Sequence, residues 1–212
     1  MTFTIRNEQP EEYHQVEELT REAFWNVYQP GCNEHYLVHT MRDSDAFLPA
    51  LDLVAVADDK IAGHIMYAKT EILSPAQKRY PVITFGPLSV LPAEQGKGVG
   101  TRLIEESRAL AAALGHRAIV ICGDPAYYAR FGFRPAEAYG IRNGEGLYAA
   151  ALQALELFPG ALDGVSGRYL EGAAYQIDPA RAEAFDRTFP QKEKRVTPSQ
   201  ARFLELVRMV HE

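Results

Sequence analysis

Cysteine is scarce in this chain, as are tryptophan, long apolar runs and surplus positive charge, and each shortage excludes something. Two cysteines, Cys32 and Cys122, among 212 residues do not make a disulfide framework. Cys122 lies in the apolar run "AIVICG", so its thiol reads as buried packing and the compartment as a reducing one. No apolar stretch approaches the ~18 residues that a membrane span needs. The opening "MTFTIRNEQPEEYHQVEEL" has neither the basic start nor the apolar centre of a signal peptide. The expected setting is the cytoplasm, with no membrane partner. Lys and Arg number 22 against 28 Asp and Glu, and the resulting charge of −6 argues against nucleic acid as a partner. A local positive spot for one anionic ligand stays open. No internal repeat or low-complexity tract occurs.

What is present suits a folded protein. Hydrophobic residues make up 47% and charged residues 24%, the balance of a globular chain rather than a disordered one. The length fits one domain with something appended. "FTIR" reads as a short strand, and Pro10, Glu11 and Glu12 as the first turn of a helix that buries Val16, Leu19, Ala23 and Phe24. A second helix starts at Asn33 as cap and buries Leu37 and Met41. "LDLVAVA" and "IAGHIMYAKTEIL" form a hairpin around Asp58 and Asp59. "VITFGPLSVL" is a third long strand, in which Gly86 and Pro87 predict a bulge. From Val99, the spacing of Leu103, Ile104, Leu110, Ala111 and Leu114 predicts a helix closed by Gly115.

"RAIVICG" then reads as a strand, "PAYYARFGF" as a short helical turn, and "LYAAALQALEL" as a further strand. "GVSGRYLEGAAYQI" is extended, and "SQARFLELVRMVHE" forms a terminal helix. The expected fold is α/β, a mixed central sheet with helices on both faces. Residues 1–178 form the main domain and 179–212 a C-terminal extension.

The stretch "EQGKGVGTRLIEESRAL" sets three glycines directly before a helix. The first amides of a helix lack intrahelical acceptors and form a positive end suited to phosphate oxygens. Gly96, Gly98 and Gly100 remove β-carbons that would keep such oxygens away, with Lys97 and Arg102 as nearby charges. A P-loop is excluded, because Leu91 stands where its first glycine belongs and Gly98 where its Ser or Thr belongs. A dinucleotide fingerprint starting at Gly96 fails at Thr101. A plain strand-to-helix turn is the competing reading.

Gln95, Gly98 and Gly100 make the pattern Gln-x-x-Gly-x-Gly at a strand-to-helix junction, and Tyr128 stands four residues before Gly132 and Phe133 in "YYARFGF". Together these resemble the acyl-CoA signature of the GNAT superfamily of N-acetyltransferases, in particular its YhbS-like group, best over residues 80–140. The resemblance implies a GNAT-type acyl-CoA N-acyltransferase fold whose sheet splays at the cofactor strand, with acetyl-CoA as cosubstrate and no metal. It implies that the main chain of Leu88, Ser89 and Val90 meets the pantetheine and the acetyl carbonyl. A backbone donor there is worth about 3 kcal/mol to an oxyanion. It further implies that Gln95, Gly96, Lys97, Gly98, Val99, Gly100 and Thr101 hold the pyrophosphate. Tyr128 takes the role of general acid, with Tyr127 beside it as the fallback.

No carboxylate or His lies within residues 80–91, so the base that some family members carry on this strand has no counterpart. Glu71, His64 and a water chain are the candidates. His35 and His39 share a helix face but lack a third ligand, so zinc is not expected. Cys122 in apolar surroundings is not expected to be an acylated nucleophile. The acceptor is a primary amine of a small molecule or of a peptide, selected by the loop "WNVYQPGCNEHY", whose Trp25, Tyr28 and Tyr36 either line a pocket or pack. A noncatalytic CoA-binding or regulatory module is the alternative. The terminal helix offers Phe203, Leu204, Val207 and Val210 to the core or to a second subunit, making a homodimer conceivable.

Overall fold

The computed structural model describes residues 3–212. Its first strand β1 (Thr4–Asn7) leads through a tight turn, which has Pro10 at its start, into α1 (Tyr13–Phe24). Helix α1 buries Val16 and Leu19 as the spacing predicts, while Ala23 and Phe24 are only half-buried because they border a cavity. Helix α2 (Glu34–Met41) buries Leu37 and Met41. Asn33 stands at its N-cap without a side-chain capping bond; instead its own amide donates to Glu34 Oε2 at 2.9 Å.

Strands β2 (Leu53–Ala57) and β3 (Lys60–Leu73) form the expected hairpin. Both loop residues, Asp58 and Asp59, have φ near +50°, the twist that a two-residue hairpin loop demands. Strand β4 (Arg79–Val90) pairs antiparallel with β3. Between Phe85 and Leu88 it uses three steps against two on β3, which places the predicted bulge at Gly86 and Pro87. Helix α3 (Val99–Ala113) buries Leu103, Ile104 and Ala111, whereas Leu110 and Leu114 reach solvent.

Strand β5 (Ala118–Cys122) is followed by the short α4 (Pro125–Tyr128) and two-residue strands β6 (Arg134–Pro135), β7 (Ile141–Arg142) and β8 (Tyr148–Ala149). "LYAAALQALEL" is strand-forming, giving β8 and β9 (Leu152–Glu156). Strand β10 (Gly167–Leu170) closes the series. The main sheet runs β1-β2-β3-β4-β5-β9-β6, with β10 paired to the far end of β3 and to β7. It mixes antiparallel ladders with a parallel β4–β5 contact, and helices cover both faces. One apolar layer joins α3 to β2, β3 and β4 through Leu103, Ile104, Ile65 and Ile83. Another joins α1 and α2 to the opposite face through Val16, Val38 and Met66.

Two features of the tail differ from expectation. The charged, proline-bearing stretch contains a helix of its own, α5 (Pro179–Asp186), capped by Asp178, which accepts from the amides of Ala180 and Arg181. The terminal helix α6 (Pro198–Arg208) stops early, and β11 (Val210–His211) pairs with β8. The segment is held along its length. Asp186 meets Arg21 at 2.7 Å, and the Trp25 indole donates to the Glu193 carbonyl at 3.0 Å.

Candidate active site

The site begins where β4 and β5 part. Their only ladder pair is Ile83 with Ile119, so beyond Ile83 the edge of β4 that faces β5 is unpaired. The bulge at Gly86 and Pro87 bends β4 outward at that level. Leu88 and Val90 then line a cavity of about 870 Å3. Ser89 between them points the other way, as strand alternation requires, and its hydroxyl donates to Thr20 Oγ1 at 3.0 Å in the core.

Helix α3 opens at one end of this cavity. Gly98 is its N-cap with φ +89°, no side chain caps it, and its first turn carries no acidic residue. The amides of Val99, Gly100 and Thr101 therefore present the positive end of the helix to the cavity. Gly96 and Gly98 need glycine for their left-handed backbone, and a β-carbon at either would meet no protein atom within 4 Å. Gly100 differs: a β-carbon there would stand 3.2 Å from the Tyr127 hydroxyl. Gln95 lines the cavity and ties the loop to β4 by donating to the Val90 carbonyl at 3.2 Å. Lys97 is not part of the lining; its ammonium lies 3.2 Å from Glu94. Arg102 is paired with Glu106. The side-chain cation that does line the cavity is Arg130, lying over the Tyr127 ring, and the rest of the positive character comes from the main chain.

Opposite α3, Asp124 and Pro125 start α4, with Asp124 Oδ1 accepting from the Ala126 amide at 2.9 Å. The turn carries Tyr128 inward against Phe85 and Phe133, with ring centroids 5.9 and 5.6 Å away. Gly132, with φ +88°, ends the turn so that Phe131 and Phe133 both enter the core. Tyr128 borders the cavity, and burial holds its phenol well above the ordinary tyrosine value, helped by the neighbouring tyrosines. At neutral pH the phenol therefore keeps its proton. Gly123 makes this pose possible, because a β-carbon there would collide with the Tyr128 ring. The sequence carried a sign of it in "CGDP", a glycine wedged between a strand end and a helix cap.

The remaining wall joins Tyr28, one of the three loop aromatics named above, to residues that sequence reasoning did not reach. Tyr28 lines the cavity and stacks on Phe203 of α6, centroids 4.4 Å apart. Trp25 and Tyr36 pack instead, Trp25 under Arg21 and Tyr36 against Phe185. Tyr175 donates from its hydroxyl to the Gly86 carbonyl at 3.2 Å, fastening the chain after β10 over the bulge. Four carboxylates face the cavity. Glu94 pairs with Lys97 and Asp124 with Arg202, but Glu34 and Glu171 have no cationic partner among the described residues. Desolvation raises both of their carboxyls above the usual carboxylate value.

Several candidates lie elsewhere. Glu71 is at the surface, paired with Arg79. His64 is buried, with Nε2 2.7 Å from Asp52, and desolvation lowers its pKa to about 4. Neither borders the cavity. His35 and His39 do not converge, since His35 faces Asp186 and His39 faces Glu17. Cys122 is exposed where β5 ends, not buried as its apolar run suggests, because the strand finishes at the cavity. Its thiol is still pushed up to about 11 by desolvation, the opposite of nucleophile activation. No described helix is long and apolar enough to cross a membrane.

Residues 10–133, more than half of the chain, match the Acetyltransferase (GNAT) family. The chain belongs to that family. It is similar to the uncharacterized N-acetyltransferase YhbS of Escherichia coli, 30% identical over 164 residues that span 77% of this chain and 92% of YhbS. The crystal structure of E. coli YhbS in complex with CoA superposes with a TM-score of 0.72 at 26% identity, covering 82% of this chain and 91% of that one. A GNAT acetyltransferase of Brucella melitensis, crystallised with acetyl-CoA, gives a TM-score of 0.67 at 31% identity, covering 82% and 99%. The GNAT fold expected from Gln95, Gly98, Gly100 and Tyr128 is the one found.

Proposed function

We propose that this GNAT acetyltransferase moves an acetyl group from acetyl-CoA to a primary amine by direct attack. One observation carries the reading: a single cavity runs from an uncapped helix N-terminus, past an unpaired strand edge, to a phenol kept protonated by burial. The amides of α3 and the open space at Gly96 and Gly98 suit a diphosphate. The edge of β4 at Leu88 and Val90, which no strand pairs although the Val90 carbonyl accepts from Gln95, suits an extended amide-bearing arm that adds to it as a strand would. Bound there, acetyl-CoA supplies the acetyl group as an activated thioester.

The chain's own groups manage the protons. Tyr128 donates its hydroxyl proton to the departing sulfur, which the same apolar walls make reluctant to leave as an anion. Glu171 accepts the proton of the attacking amine. It lines the cavity, has no competing cation, and desolvation raises its carboxyl toward the range in which a base works. Residues 179–212 act as an extension that completes the acceptor side, through Phe203 on Tyr28.

Acetyl-CoA incubated with a panel of primary amines, with free thiol and product mass both followed, tests the reading. Thiol release matched by an added acetyl mass on an amine is expected. Binding of CoA without thiol release with any amine would contradict it.

A further inference from the structure

A second cavity of about 530 Å3 adjoins the first, and Cys122, Glu171 and Tyr175 line both. Its walls are mainly apolar: Ala149, Leu152 and Leu170 from the late strands, and Val207 and Val210 from the tail. The tail wall is fastened in place. Strand β11 pairs Val210 with Ala149, and the Ala150 amide donates to the Met209 carbonyl at 2.9 Å. Tyr169 lines this chamber too, its hydroxyl buried beside Thr70 of β3 and Thr84 of β4.

We propose that this second chamber is the acceptor's binding subsite and that the acceptor is a primary amine on an uncharged, apolar body. The amine sits at the waist beside Glu171, facing the first cavity. The body lies between the late strands and α6–β11. Three observations support the assignment. The chamber shares Cys122, Glu171 and Tyr175 with the site, its lining offers no cation or second carboxylate to pair a charged body, and its outer wall comes from the extension. An acceptor with a polycationic or anionic body would lose hydration there without compensation. The assignment rests on the acetyl-transfer reading above.

The test uses the full chain with acetyl-CoA and straight-chain primary amines from butylamine to decylamine. Each methylene that enters the chamber should raise kcat/KM about threefold to fourfold, the value of a buried methylene, until the chamber is full. Val207→Trp narrows the chamber from its exposed wall, and Val207→Arg puts a charge there; both should flatten the dependence on chain length. Unfolding temperature and CoA affinity report that the variants are folded. Binding of decylamine to the CoA-saturated protein, by calorimetry, gives a readout independent of turnover. Turnover without length dependence, or a dependence that survives both variants, overturns the subsite and leaves acetyl transfer standing. Length-dependent binding that Val207→Trp abolishes, without turnover, supports the subsite while the transfer reading falls. Neither binding nor turnover overturns both.

Discussion

The ring of Tyr128 lies so close against Gly123 that no β-carbon fits between them. This contact places the phenol between Phe85 and Phe133 at the edge of the cavity, so position and proton inventory are set together. Tyr128→Phe removes the proton without disturbing the packing. It is expected to lower kcat by about two to four orders of magnitude, the worth of a positioned acid, while CoA affinity stays within a small factor. Gly123→Ala keeps the hydroxyl but displaces the ring, and should also lower kcat. Thiol-release kinetics beside calorimetric CoA titration check both.

Gly98→Ala separates ligand contact from packing. The added methyl meets no protein atom, so the change costs only backbone strain, about 1 to 3 kcal/mol at φ +89°. CoA affinity should fall in addition, because the methyl projects into the space before the α3 amides. Denaturant unfolding gives the first number and calorimetry the second. Unchanged affinity in a folded variant would mean that the helix start does not meet the ligand.

Glu171 should appear in the pH profile. A base works only when deprotonated, so kcat/KM should decline as pH falls through its pKa, which desolvation places above the ordinary 4.5. Glu171→Gln should lose most activity and the acid limb with it. The equivalent change at Glu71, paired with Arg79 on the surface, should leave the profile in place.

His35 makes stability depend on pH. Its ring is fully buried, and desolvation lowers its pKa to about 4 against the ordinary 6.5. Between those values the unfolded chain holds a proton that the folded chain lacks, so stability rises with pH across that window and is lost as pH falls through it. The contribution is about 3 kcal/mol in full, at about 1.4 kcal/mol per pH unit. His64, lowered in the same way, and Glu8, raised to about 8, add slopes of the same and the opposite sign, so urea unfolding of wild type and His35→Gln is compared at each pH between 4 and 7; the difference should change by about that amount per pH unit.

The glycine-rich half of the candidate site was legible because its chemistry is local. Gln95, Gly98 and Gly100 sit within six residues of one another, and the bulge at Gly86 and Pro87 follows from what those residues do to a strand. The opposite half was not, apart from Tyr28. Glu171 and Tyr175 reach the cavity because β10 pairs with the far end of β3, a long-range contact with no spacing to mark it. Glu34 heads a helix and looks like ordinary first-turn chemistry until the cavity opens beside it. Cys122 misled for a related reason: its run is buried up to Ile121 and ends one residue later. Within the tail, the pattern of Phe203, Leu204, Val207 and Val210 suggested burial, but only Phe203 is half-buried, against Tyr28. The others are exposed, with Val207 and Val210 forming the open wall of the second chamber.

The most direct measurement is a titration of nitrogen-15-labelled protein with CoA, following the backbone amides of Val99, Gly100 and Thr101. These resonances should move together and saturate with the binding isotherm, accompanied by the aromatic signals of Tyr128. Saturable binding that leaves them unmoved while amides on another surface shift would contradict the placement of the cofactor at the head of α3.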